Sequence, residues 1–121
     1  MSKTVMIVDD ALSIRGLIKM TLASPGYQII EACNGKDALD KLSQQVPDLI
    51  ILDIYMPEMD GMELIRVLKA DPKHKFIPIV VLTKEKDPEM KRRGQAFGAK
   101  AWVVKPFKPD TILNVVQTII G

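Results

Sequence analysis

The chain has 121 residues, of which 47% are apolar and 26% charged, with a net charge of +2 and one cysteine. That length fits a single domain able to bury about two thirds of its unfolded surface, and the composition excludes a disordered chain. A lone cysteine, Cys33, excludes an internal disulfide, fits a reducing compartment, and reads as a small buried residue.

The start of the chain, Met1-Ser2-Lys3-Thr4, lacks the apolar region of a signal peptide, and no apolar run approaches the ~20 residues of a membrane helix. The expectation is a soluble cytoplasmic protein with no membrane contact. The small net charge says little about partners. Lys91-Arg92-Arg93 reads as a solvated helix face, so no nucleic-acid partner is expected.

Taken in order, Thr4 to Val8 is a short apolar run ending in Asp9-Asp10, and reads as strand 1. Ile14, Leu17, Ile18, Thr21 and Leu22 follow the stripe of an amphipathic helix, which Pro25-Gly26 stops. Tyr27 to Ala32 is strand 2; its polar members place it at an edge. Asn34-Gly35 turns into helix 2, with Ala38, Leu39 and Leu42 inward.

Leu49-Ile50-Ile51-Leu52 is strand 3, buried on both faces, and runs into Asp53. Helix 3 follows Gly61, with Leu64, Ile65 and Leu68 inward, and ends near Asp71-Pro72. The loop through His74 has no apolar pattern. Ile79 to Leu82 is strand 4, ending at Thr83. Helix 4 runs from Pro88 to Phe97, weakened by an internal Gly94. Ala101 to Val104 is strand 5, ending at Lys105-Pro106, and helix 5 runs from Asp110 to Ile120 with Ile112, Val116 and Ile119 inward. The methionines are scattered and read as core filler.

Strands alternating with helices predict an α/β fold, with a parallel sheet covered on both faces and right-handed crossovers. Such sheets place ligands at the C-terminal ends of their strands. Asp9, Asp10, Asp53, Thr83 and Lys105 all stand at those ends. If strands 1 and 3 are neighbours, the three carboxylates converge. Two unit charges ~4 Å apart repel by about 4 kcal/mol at an effective dielectric of 20. Lys105 offsets one charge. Oxygen-only ligands for the remainder indicate magnesium or a similar hard cation such as manganese. A metal, a lysine and a hydroxyl suit a phosphoryl group, and Asp53 is the carboxylate placed to attack it.

These residues resemble the receiver domain of two-component response regulators. The resemblance rests on Asp9-Asp10, on Asp53 followed by Met56-Pro57 and Asp60-Gly61, on Thr83, and on Lys105-Pro106-Phe107, and it spans residues 1–121. The chain most resembles the single-domain CheY-type regulators of chemotaxis. That resemblance implies a flavodoxin-like, doubly wound (βα)5 fold with strand order 2-1-3-4-5.

It also implies a mechanism. Asp53 takes a phosphoryl group from a phosphohistidine on a CheA-like sensor histidine kinase. Asp10, Asp53 and the backbone carbonyl of Tyr55 bind magnesium, with Asp9 helping through water. Thr83 and Lys105 contact the phosphoryl oxygens, and Lys105-Pro106 is the family's usual cis peptide. Trp102 stands where the family usually has a tyrosine or phenylalanine that swings inward, and the output face is helix 4, strand 5 and helix 5. On that face Lys91, Gln95 and Val115 are expected to dock a partner helix or a second copy, making the chain a monomer or a weak dimer.

The implied target is a protein such as the flagellar motor switch, and a phosphatase is a further partner. Tyr55 and Glu85 occupy the positions that set the acyl phosphate lifetime. Lys84 departs from the small residue usual after the threonine and argues against easy donor access. On this reading the chain is not an enzyme: it catalyses only its own phosphorylation and dephosphorylation.

Each feature alone has a plainer reading. A strand-end aspartate is commonly a helix cap, Thr83 a satisfied loop hydroxyl, Lys105 a surface charge, and Trp102 a core residue. Alternatives at the level of function are a phosphorelay intermediate, a phosphate sink, an aspartyl-phosphate hydrolase, and a flavin or nucleotide binder. The hydrolase class has a second acid two residues after its nucleophile, where this chain has Tyr55. A nucleotide binder needs a Gly-rich or Ser/Thr-rich loop where this chain has Asp9-Asp10-Ala11-Leu12.

Overall fold

The computed structural model describes residues 2–121. Five units follow one another: β1 (Thr4–Val8), α1 (Leu12–Ala23), β2 (Gln28–Ala32), α2 (Gly35–Leu42), β3 (Leu49–Leu52), α3 (Gly61–Ala70), β4 (Ile79–Thr83), α4 (Pro88–Phe97), β5 (Ala101–Val104) and α5 (Pro109–Ile120). All strand pairs are parallel, in the order β2-β1-β3-β4-β5. No described helix is long and apolar enough to cross a membrane.

Successive strand side chains point to opposite faces, so the apolar runs feed two cores. Val5, Ile7, Leu49, Ile51, Val80 and Leu82 pack against Ile18 and Leu22 of α1 and Ile112 and Val116 of α5. Met6, Val8, Ile50, Leu52, Ile79 and Val81 pack against Ala38 and Leu42 of α2 and Leu64, Ile65 and Leu68 of α3. The register sets Val8 opposite Leu52, which brings the next residues, Asp9 and Asp53, to one point on the sheet edge.

Local chemistry fixes where the helices start. The side chain of Asn34 accepts from Asp37 N at 2.8 Å, Asp60 from Glu63 N at 2.9 Å, and Asp87 from Glu89 N at 3.0 Å. α5 begins one residue earlier than expected, with Pro109 in its first turn.

Several expectations need correction. Leu17 is 40% exposed; the buried stripe of α1 is Ile18 and Leu22, with Ile14 half-buried beside them. Met20 is exposed as well. Cys33 is exposed because it sits in the turn between β2 and α2, where its amide donates to Asp37 Oδ2 at 3.0 Å. His74 is buried, with Nδ1 3.1 Å from Asp71 Oδ2. Gly94 is a close-packing position and not merely a weak point of α4: a Cβ there would lie 2.5 Å from Trp102 Cζ3, so the indole would have to shift to admit it.

Candidate functional site

The ends of four strands, β1, β3, β4 and β5, build one cleft of about 420 Å³, lined by Asp9, Asp10, Ala11, Ser13, Ile14, Asp53, Tyr55, Lys84 and Lys105. Asp9 follows β1 and is 2% exposed. Both its carboxylate oxygens are committed: Oδ1 accepts from Ala11 N at 2.9 Å and Oδ2 from Lys105 Nζ at 2.8 Å. Asp53 follows β3 and is also buried; its Oδ2 accepts from Lys105 Nζ at 3.0 Å and its Oδ1 from Tyr55 N at 3.2 Å. Asp10 is exposed at the rim.

Lys105 ties β5 into this cluster. Its amide donates to Thr83 O at 2.8 Å, its side chain is 9% exposed, and the Lys105-Pro106 peptide is cis. Burial pulls the ammonium down from its usual range, but hydrogen bonds and charges from Asp9 and Asp53 outweigh that and hold it above. A carboxylate oxygen from each of Asp9, Asp10 and Asp53 lies within 4.8 Å of the others. Three carboxylates meet there, and Lys105 is the ammonium bonded to two of them, while Lys84 on the cleft wall is bonded to none among the described residues. That grouping and the all-oxygen donor set fit a hard divalent cation.

The α3 N-terminus packs against the backbone that carries the acceptor. A Cβ on Gly61 would collide with the Asp53 carbonyl oxygen and lie 2.7 Å from Ile54 Cα, and Gly61 N donates to Ile54 O at 2.8 Å. The glycine of the Asp60-Gly61 pair is therefore required by close backbone approach.

Residues 5–117 match the family described as response regulator receiver domain. The chain belongs to that family. The receiver is 36% identical to the chemotaxis protein CheY of Thermotoga maritima over 121 residues, covering 98% of each. It is also 36% identical, over 118 residues, to the phosphate regulon transcriptional regulatory protein PhoB of Pseudomonas aeruginosa, covering 98% of this chain and 52% of that one. Among solved structures, the Vibrio cholerae chemotaxis protein CheY4 superposes with a TM-score of 0.93 at 40% identity, covering 99% of this receiver and 100% of that chain. The receiver spans about half the length of the transcriptional regulators it matches. The flavodoxin-like fold and strand order expected of a CheY-type receiver are the ones observed.

The structure brings together the cleft residues singled out in the sequence. Thr83 stands just behind them, fully buried, its hydroxyl accepting from Glu85 N at 3.3 Å. Lys84 is exposed on the cleft wall. Lys91 and Gln95 are exposed on α4, and Val115 is half-buried on α5 beside the β5 edge. Trp102 is half-buried against α4, and its Nε1 donates to Glu85 O at 3.2 Å.

Two features escaped the sequence. Tyr55 and Glu85, 30 positions apart, are joined by a phenol-to-carboxylate hydrogen bond that no spacing announces. That bond raises the Tyr55 pKa; together with the Asp87 amide it lowers that of Glu85. Arg15 is the other: its guanidinium reaches the Asp9 carbonyl at 2.6 Å and Glu31 at 3.1 Å. Its signal was present, since Arg15 lies three residues before Ile18 and seven before Leu22 on the buried stripe.

Proposed function

We propose that this receiver is the phospho-accepting switch of its two-component system, with Asp53 as the acceptor. The observation that carries the reading is the Asp53 carboxylate in the acidic cleft, its Oδ2 held at 3.0 Å by the same ammonium that Asp9 holds at 2.8 Å. An Asp53 oxygen attacks the phosphorus of a sensor kinase's phosphohistidine. The P–O bond forms as the P–N bond breaks, and the electron pair leaves on the imidazole nitrogen. Lys105 presents a fixed ammonium to the phosphoryl oxygens, and Thr83 keeps its own hydroxyl proton to donate. Asp9, Asp10 and Asp53, with the Tyr55 carbonyl, would hold Mg2+ or Mn2+, which supplies positive charge to a bound phosphoryl group. Water attack on phosphorus later returns phosphate and the free carboxylate. The chain's chemistry is thus confined to itself.

The pathway we assign is chemotaxis, with a CheA-like kinase as donor and a flagellar motor switch protein as target, both met in the cytoplasm. Matches to chemotaxis proteins over nearly the full length of both chains support this. The output face is α4, β5 and α5, where Lys91 and Gln95 are exposed on α4 and Val115 lines one hollow with Trp102. Lys91→Glu with Val115→Asp should abolish binding to the motor protein; unchanged binding would remove that face from the reading. Equal identity to PhoB, a transcriptional regulatory protein, favours, as second reading, service in a pathway other than chemotaxis.

The test is intact mass after incubation with acetyl phosphate or a phosphorylated kinase. One phosphoryl group per chain is expected, lost with a chelator and in Asp53→Asn. Undiminished labelling of Asp53→Asn would assign the acceptor to another residue.

A further inference from the structure

A guanidinium on a buried helix stripe has to be matched, because an unpaired buried charge is expensive. Arg15 is matched on two sides. Its side chain is 14% exposed, Nε pairs with Glu31 Oε1 at 3.1 Å, and Nη1 donates to the Asp9 carbonyl oxygen at 2.6 Å. Glu31 lies on β2 opposite Ile7 of β1. Its backbone is held by Lys41 Nζ, which donates to its carbonyl, whereas Lys19, exposed and 3.7 Å from Oε2, makes only a loose surface pair. So β2 orients the fork, and the fork delivers one N–H to the turn that carries the acidic pair.

The consequence falls on Asp10. The Asp9 carbonyl and the Asp10 nitrogen share one planar peptide, so fixing the oxygen fixes the plane that enters Asp10. The next peptide is fixed as well, because Ala11 N donates to Asp9 Oδ1 at 2.9 Å. The Asp10 carboxylate is exposed, and among the described residues nothing hydrogen-bonds it. The point from which it reaches into the cleft, its Cα–Cβ direction, is set through its backbone, clamped on one side by Arg15 and on the other by Asp9.

We infer that Arg15, oriented by Glu31, is a positioning residue that aims the Asp10 carboxylate at a hard divalent cation. The inference rests on the metal site proposed above. The contribution is geometric: Glu31 balances the arginine charge, and Lys105 already neutralises part of the cleft. Partners one step removed from a metal commonly change its affinity by about 10–100-fold.

The test is calorimetric titration of the folded chain with Mn2+ alone, well below its unfolding temperature, so that no phosphoryl donor enters the readout. Arg15→Met should weaken Mn2+ binding about tenfold. Arg15→Lys should restore only part of it, because one ammonium cannot serve Glu31 and the Asp9 carbonyl as a fork does. Glu31→Gln leaves Arg15 in place and should weaken binding less. Adding it to Arg15→Met should cost nothing more. Lys19→Met loosens the same helix-to-strand tether without touching Asp9, and should leave Mn2+ affinity unchanged.

Full Mn2+ affinity in Arg15→Met, with Asp10→Asn still abolishing binding, would overturn the role of Arg15 alone. Equal losses in Lys19→Met and Arg15→Met would reduce Arg15 to a structural tether. Absence of Mn2+ binding by the unmodified chain would overturn the metal site and this inference together. Should Arg15→Met not fold, Glu31→Gln decides: unchanged affinity there would overturn the inference.

Discussion

The phenol of Tyr55 donates a hydrogen bond to the carboxylate of Glu85, joining the loop after the acceptor strand to the loop after Thr83. Glu85 also donates its amide to the Thr83 hydroxyl at 3.3 Å and accepts the Trp102 indole at 3.2 Å. One residue thus touches the acceptor loop, the hydroxyl and the output face. Tyr55→Phe removes the phenolic donor while keeping the ring on the cleft wall. It should free the Glu85 loop, shorten the phosphorylated lifetime a few-fold, and shift Trp102 emission in the unphosphorylated chain. Decay of the acyl phosphate followed by mass, beside an emission spectrum, checks both. An unaltered lifetime and spectrum would mean that the bond carries nothing.

Lys105 keeps Asp9 and Asp53 from facing each other unneutralised. Lys105→Met should cost about 2 kcal/mol, below the 3–5 kcal/mol of a fully enclosed pair because the cleft opens to water. Saturating Mg2+ should recover part of the loss. The lysine pKa is raised by folding, so its stabilisation is complete below the unfolded value of about 10.4 and fades as pH rises through the higher folded value. The stability gap between the parent and Lys105→Met should therefore be constant from pH 7 to about 10 and close above that. Urea midpoints of both chains across that range test the sign. A gap that widened at alkaline pH would contradict it.

The strand ends were legible in the sequence because a parallel sheet turns chain order into spatial order. Asp9, Asp53, Thr83 and Lys105 each end an apolar run, and Val8 opposite Leu52 does the rest. Leu17 misled because its stripe position follows the idealised helical period, whereas burial on α1 is set by which residues face the sheet and α5. Gly94 and Cys33 misled for a related reason: helix propensity and residue type say nothing of an indole overhead or a turn outside the core. Pairs such as Tyr55 with Glu85 depend on loop conformation, which periodicity does not encode.

Two glycines should respond unequally to the same methyl group. At Gly61 a Cβ meets the backbone of Asp53 and Ile54, which cannot move without displacing the acceptor. Gly61→Ala should cost about 3 kcal/mol and impair phosphorylation. At Gly94 the obstacle is the Trp102 ring, a side chain able to turn. Gly94→Ala also gains about 1 kcal/mol of helix propensity, leaving a net loss of about 1 kcal/mol or less. Its mark should be a red-shifted Trp102 emission with phosphorylation intact. Urea titration and fluorescence separate the two, and equal stability losses would show that the indole is as immovable as the backbone.

Lys84 stands on the cleft wall, exposed, one residue after Thr83. Its size argues against easy entry of a donor, whereas its charge attracts an anionic one. Exposure decides between them: an exposed, flexible lysine can swing clear of the opening, but its charge stays within a Debye length of the cleft. Lys84→Ala should therefore slow phosphorylation by acetyl phosphate at low ionic strength, and the difference from the parent should vanish at about 0.5 M salt. If the side chain blocks entry, Lys84→Ala will react faster at every salt concentration. Initial rates at two ionic strengths distinguish a steering lysine from an obstructing one.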